Sequence, residues 1–504
     1  MNSPSSFPHQ PRRPERPLTV IAVDQPAIRQ SRKRLWLLLG GGIFVLACLF
    51  LAAVGVVGWA MSTVIRQARA EKMSWDHNEQ GNRYSRQGRE DLAIAEYDEA
   101  IRLRPDDPAP WCNRGDSWLN RKDYAKALAD ANQSLALAPN YADAHNLRGL
   151  IYYRQDQDAA SIPCFDRAIQ LERKSAYYHN RANSYLALKD HDKALRDYTE
   201  AIRLDGDSPD SFYGRALVYH NLEKWPDALS DYHRTIELKP DYAEAHRGIG
   251  SVYLREKNFV AAGPPLDKAL ELKPDYAAAL NDRGLVIQEL GNPRQALTYF
   301  DKAIQLEPKQ AVYRVNRGHA YYDLNDYQKA IADYDAGLRL DPQDATAFAS
   351  RGNAHSALSD FDAAVQDHDA AVRLKPGDAS FLQHRGHVLV RAKQYARAAA
   401  DYLECVRLDP KHADYQTDAA WLLATCPDDK VRNGQRALEL AQRAKGKSDN
   451  PSASTAEVLA AAYAETGDFK AAVRWQQHAL QSALQYSKED LQKARERLKL
   501  YEKG

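Results

Sequence analysis

The sequence predicts an all-α chain, an array of helix-turn-helix repeats preceded by one transmembrane helix. Three observations predict it. Proline recurs every 34 residues, at Pro105 and Pro139 and again at Pro240, Pro274, Pro308, Pro342, Pro376 and Pro410. Glycine recurs in the same register at Gly81, Gly115, Gly149, Gly250, Gly284, Gly318, Gly352 and Gly386. An uncharged apolar run, Leu35 to Val57, stands ahead of both.

In chain order, residues 1–34 come first, and their prolines Pro4, Pro8, Pro11, Pro14, Pro17 and Pro26 deny a helix its hydrogen bonds. With little apolar content as well, this reads as a disordered cytoplasmic tail. Residues 35–61 read as the membrane helix, since about 23 apolar residues at 1.5 Å each cover a ~30 Å hydrocarbon core. Trp36 and Trp59 stand at its ends, and Arg29, Arg32, Lys33 and Arg34 precede it. The positive-inside rule then predicts a single-pass protein of the cytoplasmic membrane, with its N-terminus inside and the array on the outer, periplasmic side. Arg66, Arg69 and Lys72 weaken that asymmetry, and cleavage near Gly58-Trp59-Ala60 or a lipoprotein-like site at Val45 to Cys48 are alternatives that the length of the run disfavours. No GxxxG occurs in the span to pair it with another. Residues 62–73 read as a juxtamembrane linker.

Residues 74–410 hold about ten repeat units. The gap from Pro139 to Pro240 is three periods less one residue, and the register survives it through Ala-Ile-Gln-Leu at 168–171 and Ala-Ile-Arg-Leu at 201–204. A unit resolves into two amphipathic helices, for example Val312 to Leu324 and Tyr327 to Leu340, split by Asn325-Asp326 and closed by Asp341-Pro342. Glycine inside a helix costs about 1 kcal/mol against alanine, so its recurrence predicts a neighbouring group too close for a side chain. Recurrent alanines in the second helix, among them Ala127, Ala194, Ala228, Ala296 and Ala330, predict the same. Residues 411–504 read as two divergent units, around Ala420-Trp-Leu-Leu-Ala and Leu459-Ala-Ala-Ala-Tyr, and a charged capping helix from Lys488 to Lys503.

Units such as Tyr313-Arg-Val-Asn-Arg-Gly-His-Ala-Tyr-Tyr-Asp-Leu-Asn-Asp-Tyr-Gln-Lys-Ala-Ile-Ala-Asp-Tyr resemble tetratricopeptide repeats. The resemblance implies a right-handed α-solenoid whose concave face is lined by the first helices and holds peptides or partner proteins.

Comparing units exposes a pattern that points to architecture. Just before the glycine position the first helix often holds Arg, and sixteen residues later the second helix holds Asp: Arg114 and Asp130, Arg181 and Asp197, Arg215 and Asp231, Arg317 and Asp333, Arg351 and Asp367, Arg385 and Asp401. Where Arg gives way to Ile249 the partner is Pro265, whereas Arg148 with Cys164 and Arg283 with Tyr299 break the pattern. An ion pair within each unit, bidentate where geometry allows, follows from it.

Function is expected in the groove. The first-helix positions flanking the Arg-Gly pair carry Asn82, Asn113, Asn146, Asn180, Asn183, Asn281, Asn316 and Asn353, with His179, His319, His384 and His387. An amide both donates and accepts, so such a groove suits an extended backbone. The plain alternative is that these are tolerated solvated positions. His384 and His387 share a helical face, but no Cys or carboxylate at ligand spacing completes a metal site. The paired tyrosines, such as Tyr152-Tyr153 and Tyr321-Tyr322, read as packing residues.

With Lys+Arg 69 against Asp+Glu 68, the chain has no excess charge to draw nucleic acid. Cys48, Cys112, Cys164, Cys405 and Cys426 are odd in number and never spaced CxxC, against both a zinc site and a disulfide framework. No GxxxxGK[ST], GxSxG or HExxH occurs. The expectation is therefore a membrane-anchored scaffold that binds protein or an extended peptide, is not an enzyme, and needs no cofactor, metal or small-molecule substrate. The alternative is an accessory subunit of an envelope glycan-synthesis or secretion complex whose catalytic chain is separate.

Overall fold

A 13-residue helix, a three-residue turn and a 14-residue helix make up the building block, as in Pro108–Asn120 followed by Tyr124–Leu137. In the computed structural model, residues 54–446, 448, 451–481 and 487–504 are described. Among them are 25 α-helices and no strand.

The described chain divides into two units, the boundary falling between Val252 and Tyr253. The first contains α1 (Val54–Arg86), α2 (Glu90–Leu103), α3 (Pro108–Asn120), α4 (Tyr124–Leu137), α5 (Ala142–Arg154), α6 (Asp158–Leu171), α7 (Ser175–Ala187), α8 (His191–Leu204), α9 (Pro209–Asn221), α10 (Trp225–Leu238) and most of α11 (Ala243–Arg255). The second contains α12 (Phe259–Leu272), α13 (Ala277–Glu289), α14 (Pro293–Leu306), α15 (Ala311–Asp323), α16 (Tyr327–Leu340), α17 (Ala345–Ala357), α18 (Phe361–Leu374), α19 (Ala379–Arg391) and α20 (Tyr395–Leu408). It ends with α21 (Ala413–Thr425), α22 (Gly434–Lys445), α23 (Ala453–Glu465), α24 (Phe469–Gln481) and α25 (Lys488–Tyr501). Within each unit helices pack on their sequence neighbours, as α3 does on α4, and first helices of successive pairs also touch, as α3 does α5. Burial is therefore built from adjacent pairs, and no pair has a core of its own.

Local chemistry sets the turns. The first helix of a pair ends on a residue in the left-handed region, for example Lys122 at φ 64°, Lys189 at 61° and Asn325 at 61°. That conformation lets Asp123 N–H reach the Trp118 carbonyl at 2.9 Å while Lys122 N–H reaches Leu119 at 2.9 Å, satisfying two carbonyls at the helix end. The next residue starts the second helix, and the Asp123, Asp190 and Asp326 carboxylates accept the backbone N–H groups of Lys126, Lys193 and Lys329. Reversal and restart are thus encoded in three residues.

The recurrent glycine answers to a ring. A Cβ on Gly149 would lie 2.6 Å from Phe165, and one on Gly318 would lie 2.7 Å from Tyr334, sixteen residues on in each case. Phe165 and Tyr334 are 0% and 1% exposed, so neither ring has anywhere to go.

The N-terminal expectations need correction. Among the described residues no helix is long and apolar enough to cross a membrane, so single-pass localisation in the cytoplasmic membrane is not supported. The longest helix, α1, has 33 residues but carries Arg66, Arg69, Glu71, Lys72, Asp76, Glu79, Arg83 and Arg86. A helix charged along most of its length cannot be stripped of water. The tail 1–34 and the apolar run as far as residue 53 lie outside the described residues. The linker expected at 62–73 is instead helical and continuous with the first repeat, since no proline interrupts Val54–Arg86.

Candidate functional site

The arginines and aspartates form a ladder. Nε and Nη2 of Arg114 donate to the two oxygens of Asp130 at 2.7 and 2.7 Å. The same fork joins Arg181 to Asp197 at 2.7 and 2.8 Å, and Arg215 to Asp231 at 2.7 and 2.9 Å. It joins Arg317 to Asp333 at 2.7 and 2.6 Å, Arg351 to Asp367 at 2.9 and 2.6 Å, and Arg385 to Asp401 at 2.8 and 2.7 Å. These aspartates are 4–6% exposed, and a carboxylate so buried requires a partner.

A second set of contacts escaped the sequence reading. The remaining nitrogen, Nη1, reaches back to the second helix of the preceding pair: Arg114 to Asp98 at 2.5 Å, Arg181 to Asp166 at 2.6 Å, Arg317 to Asp301 at 2.7 Å, Arg351 to Asp335 at 2.5 Å and Arg385 to Asp369 at 2.9 Å. Arg215 meets Thr199 there, at 3.3 Å. Each guanidinium thereby ties two pairs together. Hydrogen bonds to Asp333 and Asp301 outweigh burial and raise Arg317 above its ordinary value. The signal was present in the recurrence of Asp fifteen or sixteen residues before Arg.

The amides are mostly spent on one another. Nδ2 of Asn113 donates to Asn78 at 2.9 Å, Asn180 to Asn146 at 2.9 Å and Asn316 to Asn281 at 2.8 Å, each bond joining first helices of neighbouring pairs. The Tyr97 hydroxyl donates to Asn82 at 2.8 Å, and the Tyr198 hydroxyl to Asn183 at 2.7 Å. Asn82, Asn146, Asn281 and Asn316 are 6%, 9%, 6% and 3% exposed, which removes them from contact with a partner. Asn113, Asn180, Asn183 and Asn353 are half-buried. Asn353 has no hydrogen-bond partner among the described residues.

The imidazoles follow the same frame. His319 bonds Ser350 at 3.0 Å, its ring lies against Tyr334, and burial pushes it down to about 4, so it is neutral near pH 7. His179 bonds Ser211 at 3.2 Å. His387 is exposed and stands 3.2 Å from Asp418, its edge against Tyr402. His384, also exposed, stacks on His368.

A carboxylate group on the same face of the first unit was missed. Burial pushes Asp116 up to about 7, with Glu90 and Asp143 adding to the effect and Arg154 opposing it. Asp143 accepts from the Tyr177 hydroxyl and from Lys174 at 3.1 Å, while Asn120 donates to Glu90 at 2.9 Å. Asp116 takes the register position of Asn82, Asn183 and Asn353, and Asp143 that of Asp210 and Glu244, so the repeat frame places each residue but only proximity in space groups the four.

Sequence models described as TPR repeat and tetratricopeptide repeat match 81–118, 108–141, 142–175, 175–208, 213–277, 277–310, 318–359, 345–413 and 452–490. The chain is 33% identical over 115 residues to the E3 ubiquitin-protein ligase CHIP of Arabidopsis thaliana, covering 23% of this chain and 40% of that protein. It is 29% identical over 86 residues to the human SGT1 homolog, covering 17% and 24%. It spans less than half the length of these curated relatives. Among solved structures it is similar to yeast Tom70 at 16% identity and TM-score 0.39, covering 86% of this chain and 96% of that one.

Proposed function

The chain belongs to the tetratricopeptide repeat family, and from that premise we propose that it is a scaffold that holds an extended peptide or protein segment along its first helices and performs no chemistry itself. One observation carries the reading. Asn113 and Asn180 are half-buried, and each amide plane is fixed because its nitrogen donates to an amide one pair earlier. Their carbonyl oxygens have no partner among the described residues. An acceptor held in place before binding loses little entropy when a peptide N–H arrives, and a row of them recognises backbone more than side chains. In the second unit Asn353, half-buried and unengaged among the described residues, offers the same chemistry.

The test is a selection of peptides from a random library on the full-length chain, followed by fluorescence anisotropy. A variant carrying Asn113→Ala, Asn180→Ala and Asn353→Ala removes the oxygens and leaves the arginine ladder and the buried Asn316 to Asn281 bond in place. Selected peptides should bind this variant roughly tenfold more weakly or worse, about the value of one or two hydrogen bonds to a preorganised site. Equal binding by both proteins sinks the amide reading.

A further inference from the structure

Every arginine of the ladder but one has a carboxylate. Arg283, whose residue sixteen positions on is Tyr299, turns instead to Asp267. Arg148 has neither partner: Cys164 stands sixteen residues on and Asn132 sixteen residues back. Cys164 is 5% exposed, so it fills the inner position that the paired aspartates occupy at 4–6%. Its Sγ lies 3.8 Å from the Ala160 carbonyl, and it offers the guanidinium no charge. Asn132 is exposed and leaves the outer position, where Asp98, Asp166 and Asp301 meet their arginines, open to solvent.

The surroundings deepen the imbalance. Arg148 Nε is buried with no hydrogen-bond partner among the described residues. One turn earlier on α5, His145 replaces the aromatic ring that Trp111, Tyr178, Phe212 and Phe348 lay over their arginines. His145 is 9% exposed; one ring nitrogen meets the Pro139 carbonyl at 2.9 Å and the other, Nδ1, is buried without a partner. Among the described residues Arg167, on α6, bonds only the amide oxygens of Asn140 at 2.7 Å and Gln170 at 3.4 Å. Burial first, then Arg148 and Arg167 together, hold His145 below its ordinary value. Two guanidiniums without counterions therefore flank one imidazole.

We propose that Arg148 is a docking point for an acidic side chain of a protein partner, whose carboxylate takes the outer position that Asp98 and Asp301 hold toward Arg114 and Arg317. The planar fork of a guanidinium matches a carboxylate edge, and an aspartate or glutamate on a partner has the reach and the charge that Asn132 lacks. The site lies in the ladder and stands independently of the amide face.

The experiment uses the full-length chain with ¹⁵N-labelled arginine, titrated with a decapeptide of alternating Asp and Gly, and in separate arms with acetate at equal carboxylate concentration and with inorganic phosphate. The peptide should move the Arg148 Nε–H signal while those of Arg114, Arg181 and Arg317 stay in place. Asn132→Asp, an isosteric change at an exposed position, supplies the missing carboxylate internally and should weaken the peptide roughly tenfold. Arg148→Gln should weaken it as much when binding is read by anisotropy of a labelled peptide. Unchanged affinity in either variant overturns the proposal, as does an equal movement of all arginine signals. A response to acetate or phosphate as strong as that to the peptide assigns a small-anion site and overturns the partner reading.

Discussion

Arg283 makes its fork backwards: Nε and Nη2 donate to Asp267 of the preceding pair at 2.6 and 3.1 Å, because Tyr299 stands where other pairs keep an aspartate. Asp267 and Asp301 are equally exposed at 54%, yet Arg317 keeps Asp333 when Asp301 is lost, and Arg283 keeps nothing when Asp267 is lost. The two positions separate redundancy from exposure.

Three substitutions in the second unit should therefore rank by what each leaves behind. Asp333→Ala removes a carboxylate that is 8% exposed and leaves Arg317, itself 24% exposed, with only the outer Asp301, and should cost about 3 kcal/mol. Asp267→Ala should cost about 1 kcal/mol and Asp301→Ala less than about 0.5 kcal/mol, as exposed pairs do. Hydrogen exchange of α13 to α16 reads the order, and equal losses at 267 and 301 would refute it.

Gly149→Ala forces Phe165 from its seat, because the new Cβ would lie 2.6 Å from the ring. A loss of about 1–3 kcal/mol is expected from overpacking. Adding Phe165→Leu should recover part of it, since the smaller side chain yields the space; thermal melts of the two variants decide whether the ring is the obstacle.

Lys189 holds φ at 61°, a conformation that costs an L-residue about 1 kcal/mol and glycine almost nothing. Lys189→Gly should raise the unfolding free energy read from urea titration by about that amount, and Gly291→Ala, at φ 86°, should lower it. A fall with Lys189→Gly would mean that the lysine side chain contributes more than its backbone costs.

Two groups give stability opposite dependences on pH. His368 is 0% exposed with neither ring nitrogen bonded, and burial, aided by His384, Arg385 and His387 against Asp369, pushes it down to about 3. The folded state then binds fewer protons than the unfolded one, whose histidine titrates near 6.5, so this contribution is complete above about 6.5 and lost as pH falls toward about 3. Asp116, raised to about 7, binds more protons when folded, so its contribution is complete below about 3.9 and lost as pH rises to about 7. His368→Tyr, the residue that Tyr334 and Tyr402 place at the same position, should flatten the acid side of the melting profile, and Asp116→Asn the neutral side. A profile unchanged by either variant would remove that group from the account.

The helix pairs, their turns and their repetition were legible in the sequence, because a helix hydrogen-bonds within itself and its period, caps and breakers lie within a few residues of one another. The spacing of sixteen between Arg114 and Asp130 could be read the same way. What Asn316 and Asn113 do could not: both look alike in sequence, yet one is 3% exposed and bonded to Asn281, and the other is half-buried with its oxygen unengaged. The linker expected at 62–73 became helix because α1 continues into the first repeat. Tertiary structure alone decided these points, along with the second carboxylate on each arginine and the isolation of Arg148, because burial and pairing depend on which neighbour the next helix brings within about 3–4 Å, a distance that chain separation does not encode.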